Sequence, residues 1–275
     1  MNHFNPQSSI APRVLATDLD GTLIPLPGVD QNNVDLVSLS THFDSSDHSL
    51  VFATGRHFES VLEAMQQYTL PIPDWIVCDV GSAIYQRDGT DFRMFKKYEA
   101  HLSQTSGGLD RARVEQALAQ VDGLEPQAPD HQQRFKISYQ SSAATVLGLV
   151  DQVNAILQET QLPYECVGSI DPFLNCGLLD VMPVGVSKAY ALLWLSTHAN
   201  FKPDEVIYAG DSGNDYAALV SGFRAIIVAN GSEGLAKKVK KDLDQRQLGK
   251  RLYQAKNPAT SGVLEGCHCF GLIDA

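Results

Sequence analysis

Long apolar runs, a cysteine framework and an excess of basic charge are all missing from this 275-residue sequence. With no apolar run near the ~18 residues that cross a bilayer, no transmembrane segment is expected. The opening, Met1 to Arg13, is polar and lacks the apolar stretch of a secretory leader. The five cysteines (Cys78, Cys166, Cys176, Cys267 and Cys269) are odd in number and scattered, unlike a disulfide framework. Cys267-His268-Cys269 suggests a metal, but read as a strand it sends the thiols one way and the imidazole the other. No second ligand pair follows, so zinc is not expected. The expected compartment is the cytoplasm, with no membrane partner. Lysine and arginine number 21 against 32 aspartates and glutamates, a formal net charge of −11. So acidic a chain has no footprint for a phosphate backbone, and nucleic acid is not an expected partner. An anionic small molecule is compatible where a local cation or a metal offsets the repulsion.

What is present is a series of short apolar runs that end in turn or acidic residues. Arg13 to Thr17 ends in Asp18-Leu19-Asp20, and Ser49 to Ala53 ends in Thr54-Gly55-Arg56. Asp74 to Cys78 runs into Asp79-Val80-Gly81, Glu205 to Ala209 into Gly210-Asp211, and Arg224 to Ala229 into Asn230-Gly231. Such runs suit strands buried on both faces, as in a parallel sheet. Helix-like segments lie between them at Phe58 to Tyr68, Ser187 to His198 and Asp215 to Val220. The alternation predicts an α/β fold built on a doubly wound parallel sheet, Rossmann-like in its windings. In such sheets ligands sit at the carboxyl ends of the strands, where this sequence places Asp18, Asp20, Thr54 and Asp211.

The middle of the chain reads differently. Helical stretches at 110–121 and 143–160 alternate with strand-like runs at 134–140, 164–170 and 178–182, while Ser103 to Gly108 reads as a surface loop. The expected organisation is a core of residues 1–83 and 184–275 with a smaller α/β insert at 84–183. No internal repeat or low-complexity tract is evident.

The strand ends carry the chemistry. Alternation puts Asp18 and Asp20 on one side of the chain, and Gly21 permits a sharp turn. One carboxylate can attack phosphorus to give an aspartyl-phosphate, and the other can protonate the leaving oxygen and later deprotonate water. A plain strand-to-loop turn with two solvated acids fits the same residues. A calcium loop does not, because glycine falls at its fourth position and Val29 at its twelfth. Asp211 and Asp215, in Gly210-Asp-Ser-Gly-Asn-Asp215, add two carboxylates at a helix start and can complete an oxygen-rich set suited to Mg²⁺, although a Gly/Asn turn before an acidic helix start fits the same residues. Thr54 and the backbone N–H groups near Gly55 can hold phosphate at the start of the next helix. Arg56 reads either as a substrate contact or as a surface residue. Lys188, near a helix start, can supply the positive charge that a carboxylate attacking a phosphoryl group requires, although a lone lysine there is more often simply solvated.

In this order, Asp18-Leu-Asp-Gly-Thr22, Thr54-Gly-Arg56, Lys188 and Gly210-to-Asp215 resemble the four motifs of the haloacid dehalogenase-like phosphatase superfamily, over nearly all of the chain from Arg13 onward. The resemblance implies Asp18 as nucleophile and Asp20 as general acid/base. It implies Mg²⁺ on the Asp18 carboxylate, the Asp20 backbone carbonyl and Asp211, with Asp215 in support. Thr54, Gly55, Lys188 and Asn214 are then phosphate contacts. The insert, placed between the second and third motifs, resembles the larger α/β cap of the sugar-phosphate branch. Within that branch Val80 to Tyr85, Lys136 to Tyr139, Leu179 to Pro183 and Ser261 to Gly266 look most like sucrose-phosphate phosphatases. Lys136 and Ser138 share one face of a strand and suit sugar hydroxyls, although any half-buried strand alternates in the same way. Ala189 after Lys188 departs from the glycine that the family often has there.

The expectation is thus an Mg²⁺-dependent phosphatase acting on a sugar phosphate, sucrose 6-phosphate first among candidates. Mannosylfructose phosphate and mannosyl- or glucosyl-3-phosphoglycerate are alternatives within the class. A phosphotransferase or mutase shares every motif, and a non-catalytic sugar-phosphate-binding subunit is a further rival that has no need of Asp20. Association with a sugar-phosphate synthase and a monomeric or small homo-oligomeric state complete the expectations.

Overall fold

The computed structural model describes residues 10–106, 110–170 and 176–274. Along the chain the strands and helices are β1 (Val14–Thr17), α1 (Asp30–Ser45), β2 (Ser49–Ala53), α2 (Phe58–Tyr68), β3 (Trp75–Cys78), β4 (Ala83–Asp88) and β5 (Asp91–Met94). Next come α3 (Lys96–Ser106), α4 (Arg111–Leu118), β6 (Glu125–Pro126), β7 (Ile137–Ser142), α5 (Val146–Glu159), β8 (Tyr164–Ile170) and β9 (Cys176–Pro183). The last group is α6 (Lys188–His198), β10 (Val206–Gly210), α7 (Tyr216–Leu219), β11 (Arg224–Ile227), α8 (Glu233–Gln245), β12 (Leu252–Gln254) and α9 (Ala259–Phe270).

These elements form two compact units, Met1–Met94 with Ser187–Ala275, and Phe95–Val186. The first is built on an eight-stranded sheet of order β12-β11-β10-β1-β2-β3-β4-β5. Pairing is parallel from β12 through β3 and antiparallel for β4 and β5. All residues of β1, β3, β10 and β11 are buried, which is why their sequences are largely apolar. The chain winds outward from β1 through β2 to β3 and later returns to β10 on the other side of β1. That reversal opens a crevice at the carboxyl ends of β1 and β10, the place where doubly wound sheets hold ligands.

Residues 84–94, read from the sequence as the start of the insert, extend the larger sheet instead. Ile84 pairs with Val77 and Tyr85 with Ile76, and the chain then turns at Gly89 to form β5. The cause is local: a strand leaving the Val80-Gly81 turn lies beside β3 and continues its hydrogen-bond ladder before the chain departs. Ser103 to Ser106 belong to α3 and are not a loop, while Gly107 and Gly108 lie outside the described residues.

Helix ends in this unit follow from local chemistry. Ser187 caps α6 by accepting from the Tyr190 N–H at 3.2 Å, and His57 caps α2 by accepting from Ser60. α2 buries Val61 and Ala64 and stops at Thr69, which takes the left-handed conformation. Cys267-His268-Cys269 lies in α9, not in a strand, so a helical twist separates the side chains. Cys267 is buried in the core, and the His268 ring hydrogen-bonds to the Ile273 carbonyl.

The second unit is an antiparallel sheet of order β6-β7-β9-β8 with α4 and α5 against one face. Ile137 and Tyr139 pack with Val114, Leu149 and Val153 on that face. Strand alternation therefore turns Lys136 and Ser138 to the opposite face, as their spacing predicts. No described helix is long and apolar enough to cross a membrane.

Candidate active site

Parallel pairing aligns Thr17 with Ala209, so Asp18 and Gly210 emerge side by side at the crevice. The Asp18 N–H donates to the Ala209 carbonyl at 2.9 Å, which anchors the loop to β10. Beyond Asp18 the chain makes a tight turn in which Leu23 and Ile24 donate back to Asp18 and Leu19. Gly21 sits in this turn at φ 74°, and a Cβ there would lie 2.7 Å from Asp211 Oδ2. Glycine is thus required twice, by the backbone conformation and by the approach of the second acidic motif. Thr22 donates to Asp211 Oδ1 at 2.7 Å, joining the two motifs directly.

Lys188 is completely buried and reaches three oxygens. Its ammonium lies 3.0 Å from Asp18 Oδ1, 2.8 Å from Asp215 Oδ1 and 3.2 Å from Asn214 Oδ1. Asp18 Oδ1 also accepts from the Leu19 N–H at 2.8 Å. Asp215 folds back over Gly210, where a Cβ would lie 2.6 Å from its carboxyl carbon. Its Oδ2 then accepts from Asp211 N, Ser212 N and Ser212 Oγ at 3.0–3.2 Å. Its Oδ1 takes Tyr208 Oη at 2.6 Å in addition to Lys188.

One ammonium thus faces three clustered carboxylates. Burial pushes the Asp18 carboxyl well above the usual range; Lys188 opposes this, and Asp215 and Asp211 add to it. Burial acts to lower Lys188, but Asp18 and Asp215 outweigh it and hold the ammonium firmly charged. Asp211 is pushed up to about 6, by burial first and then by Asp215. Oxygen atoms of Asp18, Asp211 and Asp215 lie within 4.8 Å of one another, the one grouping among the described residues with this property. An all-oxygen, charge-deficient set of this kind fits a hard divalent cation such as Mg²⁺. Asp215 already accepts five hydrogen bonds, whereas Asp211 accepts from Thr22. Asp18 and Asp211 are therefore the better placed ligands, with Asp215 behind them.

The remaining residues singled out in the sequence fall around this centre or apart from it. Thr54 is buried at the end of β2, and its hydroxyl accepts from the Arg56 N–H at 3.2 Å. Gly55 faces the Asn214 side chain, since a Cβ there would lie 4.0 Å from Asn214 Nδ2. Arg56 is partly buried and already engaged within the site. Its guanidinium holds both oxygens of Asp20 and the Ser60 hydroxyl. In the second unit Ser138 donates to Asp180 Oδ1 at 2.6 Å, and Lys136 lies 3.6 Å from the same oxygen.

Sequence reasoning passed over several residues that build the site. Val80 and Asp79 donate to the Thr54 and Arg56 carbonyls and so brace the Thr54-Gly55-Arg56 loop. Asn230 donates to the Gly21 carbonyl and accepts from the Ala259 N–H, and Thr260 donates to the Leu23 carbonyl. Tyr208 is read as one more apolar strand residue until its hydroxyl is seen on Asp215. The strand ends Asp79-Val80-Gly81 and Asn230-Gly231 were the signals for Asp79, Val80 and Asn230, while Tyr208 and Thr260 had none.

A doubly wound core with this acid, lysine and paired-aspartate order at its switch point defines a haloacid dehalogenase-like phosphoric monoester hydrolase, with an α/β cap as its second unit. The chain belongs to the sucrose-6F-phosphate phosphohydrolase family, whose model matches residues 11–271. It is 26% identical over 263 residues to a mannosylfructose-phosphate phosphatase of Agrobacterium fabrum, covering 94% of this chain and 97% of that one. It is 27% identical over 271 residues to a glucosylglycerol-phosphate synthase of Pseudomonas anguilliseptica, covering 94% of this chain but only 31% of that longer protein. Among solved structures, the sucrose-phosphatase of Synechocystis sp. PCC6803, in complex with sucrose and phosphate, superposes with a TM-score of 0.78. That match is at 26% identity and covers 95% of this chain and 99% of the other.

Proposed function

We propose that the chain hydrolyses the phosphate monoester of a phosphorylated disaccharide, with sucrose 6-phosphate as substrate, through an aspartyl-phosphate on Asp18. The observation that carries this reading is the Lys188 ammonium between Asp18 and Asp215, beside Asp211. Uncatalysed hydrolysis of such esters is so slow that catalysis must supply on the order of 20 kcal/mol. Lys188 keeps a positive charge against the nucleophile, which eases the approach of an anionic phosphoryl group. Thr54, Gly55 and Asn214 are the proposed contacts of the phosphoryl oxygens. Asp18 attacks phosphorus, Asp20 gives a proton to the departing sugar oxygen, and Asp20 then takes one from the water that releases phosphate. Mg²⁺, held by Asp18, Asp211 and the Asp20 backbone carbonyl with Asp215 in support, would offset the repulsion between carboxylates and phosphate.

The family match and the sucrose-phosphatase likeness support sucrose 6-phosphate. The Agrobacterium relative supports mannosylfructose phosphate as a second reading, and the synthase relative keeps a sugar-phosphate synthase as a candidate partner. Lys136 and Ser138, on the sheet face of the smaller unit opposite Ile137 and Tyr139, are the proposed sugar contacts. The test is phosphate release, with and without EDTA, from sucrose 6-phosphate, mannosylfructose phosphate, both glycosyl-3-phosphoglycerates, trehalose 6-phosphate and simple hexose phosphates. EDTA-sensitive release with the highest kcat/KM on sucrose 6-phosphate is expected. A clear preference for a hexose monophosphate would overturn the disaccharide reading, and transfer to a second sugar without free phosphate would replace hydrolysis by phosphotransfer.

A further inference from the structure

We infer that Tyr208 is a positioning residue for the nucleophile: its hydroxyl fixes the Asp215 carboxylate so that Lys188 is shared with Asp18. This rests on the reading of Asp18 as the attacking group. Ile207 and Ala209 belong to the main apolar core, so alternation along β10 turns Tyr208 and Gly210 to the other face of the sheet. On that face the absent side chain of Gly210 leaves the space into which Asp215 folds, and Tyr208, two residues earlier, reaches the same carboxylate.

The division of hydrogen bonds explains why the hydroxyl matters. Asp215 Oδ2 is satisfied by three donors from its own turn. Oδ1 has two, Tyr208 Oη at 2.6 Å and Lys188 Nζ at 2.8 Å. Both donors are buried away from water, so no solvent molecule replaces one that is lost. With the hydroxyl gone, Lys188 is the sole donor to a buried anionic oxygen and is drawn toward it. Its 3.0 Å contact with Asp18 Oδ1 then lengthens, and the nucleophile loses the charge that makes its approach to phosphate tolerable. Tyr208 touches neither substrate nor the reacting atoms in this scheme; it acts through Asp215 and Lys188.

The test is Tyr208→Phe, which removes one oxygen and keeps the ring that packs in the sheet, with Tyr208→Val as a second variant that also removes packing volume. Steady-state kinetics with p-nitrophenyl phosphate and Mg²⁺ are measured alongside thermal unfolding. The Lys188 ammonium resonance, assigned by its loss in Lys188→Met, is followed by NMR. The expected result is a kcat about ten-fold lower in Tyr208→Phe, with KM and the unfolding midpoint little changed and the Lys188 resonance shifted. Tyr208→Val should unfold earlier but show the same kcat per folded molecule. A wild-type kcat together with an unmoved resonance would overturn the inference, as would a loss that follows only the unfolded fraction. Should Asp18→Asn turn over like the wild type, the reading of the nucleophile fails instead, and the Lys188 resonance alone then decides whether Tyr208 sets its position.

Discussion

Arg56 grips Asp20 through two parallel hydrogen bonds, Nε to Oδ2 and Nη2 to Oδ1, each 2.7 Å long. The fork fits both carboxylate oxygens at once, a geometry that a lysine cannot reproduce. Ser60 holds the third guanidinium nitrogen and so fixes the arginine from behind. Asp20, the proposed proton donor, is thus oriented by a residue that sequence spacing placed only near the phosphate.

Replacing this fork should show a dependence on the leaving group. Arg56→Lys is expected to lower kcat on a sugar phosphate by about ten-fold, because an alkoxide needs its proton. On p-nitrophenyl phosphate, whose phenolate leaves without one, the loss should be much smaller. Equal losses on both substrates would show that Arg56 serves phosphate binding and not Asp20.

Asp18→Asn should lower turnover by roughly a thousand-fold or more while leaving the far-UV spectrum intact, because an amide cannot take the phosphoryl group. The same change removes one of three clustered like charges, so the metal-free variant should melt no lower than the wild type. Turnover at the wild-type rate would remove Asp18 from the mechanism.

The raised Asp211 carboxyl makes metal-free stability depend on pH in an unusual direction. Its folded value of about 6 lies above the ordinary 3.8, so between these the folded chain holds a proton that the unfolded chain has released. Stability from this group is therefore full below pH 4 and lost as pH rises through 6. Asp211→Asn should abolish that loss in EDTA, amounting to about 3 kcal/mol at pH 7. Mg²⁺ should stabilise the wild type more at pH 7.5 than at pH 5, as seen by unfolding in denaturant at the two values.

Gly21→Ala should damage the metal site more than the fold. The new methyl group would lie 2.7 Å from Asp211 Oδ2, in a backbone conformation that costs a non-glycine residue about 1 kcal/mol. The expected outcome is a higher Mg²⁺ concentration for half-maximal activity, with a drop of a few degrees in melting temperature. An unchanged metal dependence would mean that Asp211 does not hold the cation.

In the smaller unit, Lys136→Ala and Ser138→Ala should raise KM for sucrose 6-phosphate several-fold. Their effect on p-nitrophenyl phosphate, which carries no sugar, should be slight. Both remove a partner of Asp180 as well, so unfolding measurements must accompany the kinetics.

The strand ends and the acids they bring together were legible because each motif is local. Asp18, Thr54 and Asp211 announce themselves by an apolar run that stops at a polar turn. What was not legible depends on residues far apart in the chain. The grip of Arg56 on Asp20 spans 36 positions, and nothing around either residue encodes it. α1 was missed because its apolar residues do not keep to one side: Leu36 and Leu39 are buried, while Val34 and Val37 are 59% and 66% exposed. The strand reading of Cys267 to Cys269 failed in the opposite way, since three residues cannot distinguish a period of two from one of 3.6. The antiparallel pair β4–β5 was assigned to the insert because a hairpin's local pattern does not say which sheet it joins.

The carbonyls of Gly21 and Leu23 are held by Asn230 and Thr260, more than two hundred positions later. Closing so long a loop is entropically costly, and contacts of this separation are slow to form. During synthesis the first motif therefore waits, complete in sequence but unbraced, until the start of α9 is available to dock. A chain interrupted before Pro258 would carry Asp18, Asp20, Asp211, Asp215, Lys188 and the Thr54-Gly55-Arg56 loop, and still lack the Thr260 half of the clamp on the Asp18 turn. The turn that carries Asp18 is thus closed by a helix made more than two hundred residues after it.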